Sequence, residues 1–222
     1  MPKPHLVLWG VGTPRTIRAH WALHELGLAY QTNAIGPRGI GIRAGGYTAL
    51  SPRQKIPLLQ DGEFTISESA AIVAYLSRTY STSNNSLLPE TERGFAVWLE
   101  WCLYIVTELD SSGLYVMRRH SELGEIYGIA PDVVAEAAKY FRKQLRQVEV
   151  ALSDKRPFLL GDQFSSADIL LTSCLEWAID YKVPLCDLAH PYLERMRRRP
   201  GYVGGKLANS QQQDEDGLLV RS

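Results

Sequence analysis

Three short stretches of the chain carry residue types whose spacing suits binding or catalysis. The first is Lys55-Ile56-Pro57-Leu58-Leu59. A proline at the head of an apolar strand lacks the ladder N–H and is tolerated where the strand begins, and an Ile–Pro bond adopts the cis form at modest cost. A cis bond there turns the Ile56 N–H and C=O outward, where they can pair with an extended peptide as in strand addition at a sheet edge. The second stretch, Ser67-Glu68-Ser69-Ala70-Ala71-Ile72, follows an Asp61-Gly62 hairpin signal and must start a helix. A helix start leaves main-chain N–H groups free beside Glu68 and Ser69. Together the two stretches describe a site for a peptide-like ligand with a carboxylate and an amine. The helix start and the Ser69 hydroxyl take the carboxylate, and Glu68 takes the amine. The third stretch, Thr13-Pro14-Arg15-Thr16, follows the first apolar run. Thr13 fits an N-cap with Pro14 at the first helical position.

The elements that must position these residues follow from periodicity and turn chemistry. Residues 5–9 (HLVLW) are a short apolar run ended by Gly10, and residues 15–26 place apolar side chains at helical spacing before Gly27. Residues 30–35 predict a second strand, followed by a loop rich in glycine and proline from Gly36 to Gly46. Residues 56–60 and 63–66 flank the hairpin, and 68–80 is helix-periodic, so the order is β-α-β and then β-β-α. Residues 81–89 (STSNNSLLP) are polar and turn-rich. Beyond them, helical patterns fill 91 to about 120, 131–153, 167–181 and 190–198. The expected organisation is therefore a first domain over 1–80, a linker over 81–90, an all-helical domain over 91–208 and a polar, frayed tail over 209–222. Ser165-Ser166-Ala167-Asp168 fits a capping box, which assigns Asp168 to folding rather than catalysis.

The composition narrows the function classes. With 222 residues and 45% hydrophobic content, the chain can build a real core. Lys plus Arg (24) balance Asp plus Glu (24), so no long-range field favours nucleic acid or an anionic membrane. Cys102, Cys174 and Cys186 form neither a CxxC pair nor a metal-ligand spacing, which suits a reducing compartment. The opening lacks an apolar region of signal-peptide length, so the expected location is cytoplasmic. His20, His24, His120 and His190 have no partners at ligand spacing and are expected on solvated or half-buried helix faces.

Glutathione answers the ligand description, and the chain resembles the glutathione transferase superfamily over nearly its whole length. The resemblance rests on TPRTIRAHWALHELGL, SPRQKIPLL, DGEFTISESAAIVAYL and GDQFSSADILL. It implies an α/β plus all-α fold, with a thioredoxin-like N-terminal domain and a helical-bundle C-terminal domain. By that resemblance Pro57 is the cis-proline and Ile56 pairs with the cysteinyl backbone. Glu68 and Ser69 hold the γ-glutamyl end, and Lys55 or Gln54 reaches the glycyl carboxylate, with Arg53 as a further candidate. The opening from Thr13 to Arg18 is similar to the TPNGxK opening of bacterial classes. Thr13 then activates the thiol, with Thr16 as the fallback, and Arg15, in place of the asparagine of that pattern, joins the glutathione-binding residues. Trp9 stands where many relatives carry tyrosine, which excludes phenol activation. Val11, Tyr104, Tyr115, Met117 and Arg118 are the implied electrophile pocket. The implied activity is attack of the glutathione thiolate on a hydrophobic electrophile. A glutathione-dependent peroxidase or disulfide reductase and a non-catalytic glutathione-binding module are the alternatives. Glutathione is the implied cosubstrate and a homodimer the implied assembly, with no metal, nucleic acid or membrane partner.

Overall fold

The computed structural model describes residues 5–83, 85–213 and 219–220. They form two compact units, Met1–Leu87 with Arg197–Ser222, and Leu88–Met196. The first unit begins with β1 (Leu6–Trp9), α1 (Thr16–Glu25), β2 (Gln31–Asn33), α2 (Ile40–Arg43), α3 (Gly45–Leu50), β3 (Leu58–Asp61), β4 (Phe64–Ser67) and α4 (Ser69–Tyr80). The strands make one sheet in the order β2-β1-β3-β4, with β2 parallel to β1 and the other pairs antiparallel. Leu8 lies opposite Leu59, and Leu59 opposite Ile66. Leu6, Leu8 and Leu59 from the sheet, Trp21 and Leu23 from α1, and Ile72 and Leu76 from α4 are fully buried.

The stretch expected to be a glycine-rich loop instead contains the short helices α2 and α3. Ile42 and Tyr47 bury against Leu58, with Trp9, Ile35, Leu50 and Ile56 packed around them. That apolar burial outweighs the poor helix propensity of the glycines.

The second unit is helical. α5 (Glu92–Tyr104) is capped by Thr91, whose hydroxyl accepts from Gly94 N–H at 3.0 Å. It runs through a π-helical stretch, Ile105–Leu114, into α6 (Tyr115–His120), so the single helix expected over 91–120 is continuous but changes its hydrogen bonding midway. After α7 (Gly124–Tyr127), α8 (Pro131–Leu152) buries Ala137, Phe141, Leu145, Val148 and Leu152 along one stripe. α9 (Ser166–Asp180) is buried nearly all round and forms the centre of the unit, and α10 (Ala189–Arg197) follows. The capping box is present, and the Asp168 carboxylate also accepts from Leu159 N–H and the Tyr192 hydroxyl.

The last helix, α11 (Pro200–Asn209), belongs to the first unit and packs on α1, whereas the sequence assigned residues up to 208 to the helical domain. Gly201, Gly204 and Gly205 argue against a helix by propensity, yet they are what lets it dock. A Cβ at Gly205 would lie 2.7 Å from Trp21 Cα, and one at Gly201 would meet Glu25. Arg199 clamps Glu25 with two bonds of 2.8 Å, and the Tyr202 ring stands edge-on to Trp21 at 5.0 Å. In the expected frayed tail, β5 (Gln212–Gln213) pairs antiparallel with β6 (Leu219–Val220), while residues 214–218 and 221–222 lie outside the described residues. No helix is long and apolar enough to cross a membrane among the described residues.

Candidate functional site

Sheet register brings the three chemically suggestive stretches to one end of the sheet. Trp9 lies opposite Leu58, so the turn after β1 adjoins Pro57, and Leu58 lies opposite Ser67, so Pro57 adjoins the start of α4.

The turn after β1 passes through Gly10 and Gly12, with φ of 111° and 76°, values that glycine adopts without steric cost. At Gly10 the need is also spatial, because a Cβ there would lie 2.6 Å from Ile56 Cβ. The turn is held by its main chain: Gly10 N–H donates to Asn33 O at 3.0 Å, Val11 N–H to Ile35 O at 3.1 Å and Gly12 N–H to Asn209 O at 2.8 Å. His20 supports it from below, with Nε2 3.1 Å from Gly10 O and Nδ1 2.8 Å from the Tyr30 hydroxyl. A carbonyl only accepts, so Nε2 carries the proton and Nδ1 accepts from Tyr30. Burial pushes the His20 imidazole down to about 4 against the opposing pull of the Gly10 carbonyl, and burial pushes the Tyr30 hydroxyl up to about 12. His20 is therefore a fully buried, neutral prop, not the solvated or half-buried residue that its sequence context suggested; His24 is exposed.

α1 begins at Thr16 with Arg15 at its N-cap, two residues later than the expected Thr13 cap, because Pro14 and Arg15 form a turn; Thr13 binds the first residues of the helix across that turn. Its hydroxyl accepts from Thr16 N–H at 3.0 Å, and its carbonyl accepts from Ile17 N–H at 3.2 Å. Thr16 Oγ1 accepts from Thr13 N–H at 2.9 Å and lies 2.6 Å from Asn209 Oδ1, to which it donates. Thr16 is wholly buried, while Thr13 keeps 8% of its surface exposed. Arg15 is half-buried at the start of α1, and Val11 is buried.

Across the turn, the Ile56-Pro57 bond is cis. The Ile56 N–H and C=O have no partner among the described residues. The preceding segment is anchored by Tyr47, whose hydroxyl donates to Lys55 O at 2.5 Å. Sequence reasoning missed Tyr47 because it placed that residue just beyond a structureless loop. Gln54 has φ of 49° and its side chain reaches Thr48 at 3.3 Å; the Gln54 and Lys55 side chains are exposed.

At the start of α4, Glu68 has φ 71° and ψ 116°. Such a conformation costs a non-glycine residue on the order of 1–3 kcal/mol. Its carboxylate is exposed and pairs with Arg53 Nη1 at 3.0 Å, while Arg53 Nη2 donates to Ser67 Oγ at 2.6 Å. Ser69, the first helical residue, is buried, and its hydroxyl accepts from Arg18 Nη1 at 3.1 Å. Arg18 is fully buried, so a cation lies beneath the helix start. It too was missed, although its position three and four residues before Trp21 and Ala22 places it on the buried stripe of α1.

The residues expected to line an electrophile pocket, apart from Val11, belong to the second unit. Met117 is in its core, Tyr104 donates to Gln144 O at 2.7 Å, Arg118 lies 3.4 Å from Glu122, and Tyr115 is half-buried.

Comparison with known proteins bears on this arrangement. The model of the glutathione S-transferase N-terminal domain matches residues 13–79, and that of the C-terminal domain matches residues 131–204. The glutathione S-transferase GstA of Escherichia coli O157:H7 is 32% identical over 158 residues, covering 69% of this chain and 73% of its own. The chain belongs to the glutathione S-transferase family. A theta class glutathione S-transferase from Xanthomonas axonopodis pv. citri, solved with glutathione bound, has a TM-score of 0.76 at 26% identity and covers 91% of this chain and 97% of its own. Ure2p in complex with glutathione has a TM-score of 0.82 at 19% identity, covering 92% of this chain and 99% of its own, a likeness of fold alone. The four-stranded sheet with its flanking helices is the thioredoxin-like half of the family fold, and the second unit is its helical half. The N-terminal match begins at Thr13 and includes Ile56, Pro57, Glu68 and Ser69.

Proposed function

We propose that this glutathione S-transferase binds glutathione at the end of the sheet formed by the β1–α1 turn, Ile56-Pro57 and the start of α4, and transfers its thiolate to a hydrophobic electrophile. The observation that carries the reading is the unpaired Ile56 main chain beside the strained, exposed Glu68 and the buried Ser69. A peptide ligand satisfies all three. Its cysteinyl backbone pairs with Ile56, while its γ-glutamyl carboxylate meets the α4 N–H groups and the Ser69 hydroxyl over buried Arg18. Its amine meets Glu68. Lys55 and Gln54 take the glycyl carboxylate in preference to Arg53, which is engaged by Glu68 and Ser67. Arg15 completes the cationic side of the ligand.

The chemical task is to keep the thiol ionised near neutral pH. Lowering a cysteine thiol from its reference value of about 8.5 by ~2 units requires about 2.7 kcal/mol. One hydroxyl bond to a thiolate, about 1.5–3 kcal/mol, with a helix N-terminus adding ~0.5 kcal/mol, meets that need. Thr13 is the proposed donor. Thr16, the fallback, is buried and its proton is taken by Asn209. The thiolate sulfur forms the new C–S bond, and the leaving group departs with its electron pair. All three cysteines lie at or beyond Cys102 in the second unit, which disfavours a mixed disulfide between glutathione and the β1–α1 turn. None of the three is in a disulfide, which favours a cytoplasmic location.

The test is calorimetry with glutathione together with conjugation of a chloronitroaromatic electrophile, with hydroperoxide and disulfide substrates in the same panel. Thr13→Ala is expected to lower the conjugation rate about 10- to 100-fold with affinity nearly intact, and Thr13→Ser to retain activity. A wild-type rate for Thr13→Ala would remove Thr13 from the mechanism. Phe95, Leu99 and Leu103 are exposed at i, i+4 and i+8 on α5, an apolar stripe that favours burial against a second copy as a homodimer.

A further inference from the structure

We propose that Asn209, the last residue of α11, is a positioning residue that fixes the β1–α1 turn so that the Thr13 hydroxyl faces the bound thiol. The inference rests on the reading of Thr13 as the donor to that thiol. Glycines at 10 and 12, both at positive φ, leave the turn without side-chain packing of its own at those positions. Asn209 grips it on both sides of the residue that matters. Its main-chain carbonyl accepts from Gly12 N–H at 2.8 Å, its Nδ2 donates to Thr13 O at 3.3 Å, and its Oδ1 accepts from Thr16 Oγ1 at 2.6 Å.

The last contact decides where protons go. Thr16 Oγ1 has one hydrogen and three acceptors in reach, Asn209 Oδ1 at 2.6 Å, Thr13 O at 2.9 Å and Thr13 Oγ1 at 3.0 Å. With Asn209 taking that hydrogen, the Thr16 oxygen is an acceptor toward Thr13 N–H, and the Thr13 carbonyl is left to Asn209 Nδ2 and Ile17 N–H. Thr13 Oγ1 accepts from Thr16 N–H and keeps its own hydrogen, which points to Thr16 Oγ1 at 3.0 Å until a ligand sulfur draws it away. Without the Asn209 side chain, the Thr16 hydrogen falls back on the Thr13 carbonyl or the Thr13 hydroxyl oxygen, and the turn loses two of its three ties to α11. The docking that brings Asn209 here depends on Gly205, one helical turn earlier, where backbone of α11 meets backbone of α1.

The experiment is a cycle of wild type, Asn209→Ala, Thr13→Ala and the double variant. Conjugation kinetics, calorimetric glutathione affinity, the thiolate absorbance of bound glutathione against pH and a thermal melt are read for each. Asn209→Ala is expected to lower kcat about 10-fold, to raise the apparent pKa of bound thiol, and to leave affinity within about 2-fold. Added to Thr13→Ala it is expected to do nothing further, because it acts through that hydroxyl. Asn209→Leu, which keeps the size of the side chain but loses both the acceptor to Thr16 and the donor to Thr13 O, provides the same comparison if the alanine variant does not fold. If Thr13→Ala slows conjugation but Asn209 substitutions leave the rate unchanged, or lower it equally in both backgrounds, the inference is overturned and the Thr13 reading stands. If Thr13→Ala itself reacts at the wild-type rate, the Thr13 reading falls, and this inference with it.

Discussion

Gly205→Ala tests whether α11 is seated by backbone contact. On an exposed helix the change is expected to stabilise by roughly 1 kcal/mol, because glycine has more conformational freedom to lose on folding. Here the added Cβ would sit 2.7 Å from Trp21 Cα and 2.8 Å from Trp21 N. Neither atom can rotate away, since both belong to the backbone of α1. Relief requires the helices to part by most of an ångström, an overpacking that costs typically 1–3 kcal/mol and sometimes more. Because the contact is with backbone, the upper part of that cost applies, and after the propensity gain a net loss of up to about 2 kcal/mol is expected, equivalent to a fall in Tm of up to roughly 8 °C for a chain of this size. Gly204→Ala is the internal control: its nearest contact, 2.5 Å away, is the ring of exposed His24, which can swing out. The assay is chemical denaturation of both variants beside wild type. A Gly205→Ala protein as stable as Gly204→Ala, or more stable than wild type, would refute close backbone contact as the reason for glycine in α11.

Three further outcomes are expected. Glu68→Gly should raise stability by about 1 kcal/mol by relieving the positive φ while weakening glutathione binding by about 10-fold or more; unchanged calorimetric affinity would reassign Glu68 to the fold alone. His20 binds its proton in the unfolded chain near 6.5 but in the folded chain only near 4, so its contribution is complete above 6.5 and is lost as pH falls toward 4, up to about 3 kcal/mol in all. His20→Gln should flatten that part of the stability–pH curve, and an equally steep curve in the variant would contradict burial as the cause. Light scattering should give about twice the 24.9 kDa chain mass, and Leu103→Glu should shift it toward the monomer; a wild-type monomer at micromolar concentration would dispose of the dimer.

What the sequence disclosed follows the range of the interactions involved. The hairpin at Asp61-Gly62, the Pro57 strand entrance, the helix start at Ser69 and the capping box at Ser165 are local: each is set by residues within a few positions, and each appears within a residue or two of its expected place. The helices α2 and α3 and the docking of α11 were not legible, because their glycines predict turns and only partners far along the chain reverse that preference. Tyr47 needs Leu58 and the Lys55 carbonyl, and Gly205 needs Trp21. The candidate site divides the same way. Ile56, Glu68 and Ser69 stand out by spacing, whereas Arg18, His20 and Asn209 act across the fold and look in sequence like ordinary helix residues.

Two carboxylates at helix starts separate the part of the chain that is complete in itself from the part that is not. Asp168 is fully buried, and burial pushes its pKa up. Yet it receives hydrogen bonds from Leu159 N–H, Ser165 N–H, Ser165 Oγ and Tyr192. With those four donors, an acceptor-only group has little capacity left for a ligand. Glu68 is the reverse case. It sits exposed on a backbone strained by about 1–3 kcal/mol, and its internal partner, Arg53, is an exposed ion pair worth about 0–1 kcal/mol. The fold alone does not offset that strain, and a few residues away the Ile56 main chain also has no internal partner. Strain and unmet hydrogen bonding therefore meet at one end of one sheet, beside the turn that His20 and Asn209 hold in place. An amine that pairs with Glu68 and a peptide backbone that pairs with Ile56 would stabilise the folded chain together. The expected consequence is a thermal shift on adding glutathione that exceeds the shift with γ-glutamate alone, and equal shifts would mean that Ile56 takes no part in binding.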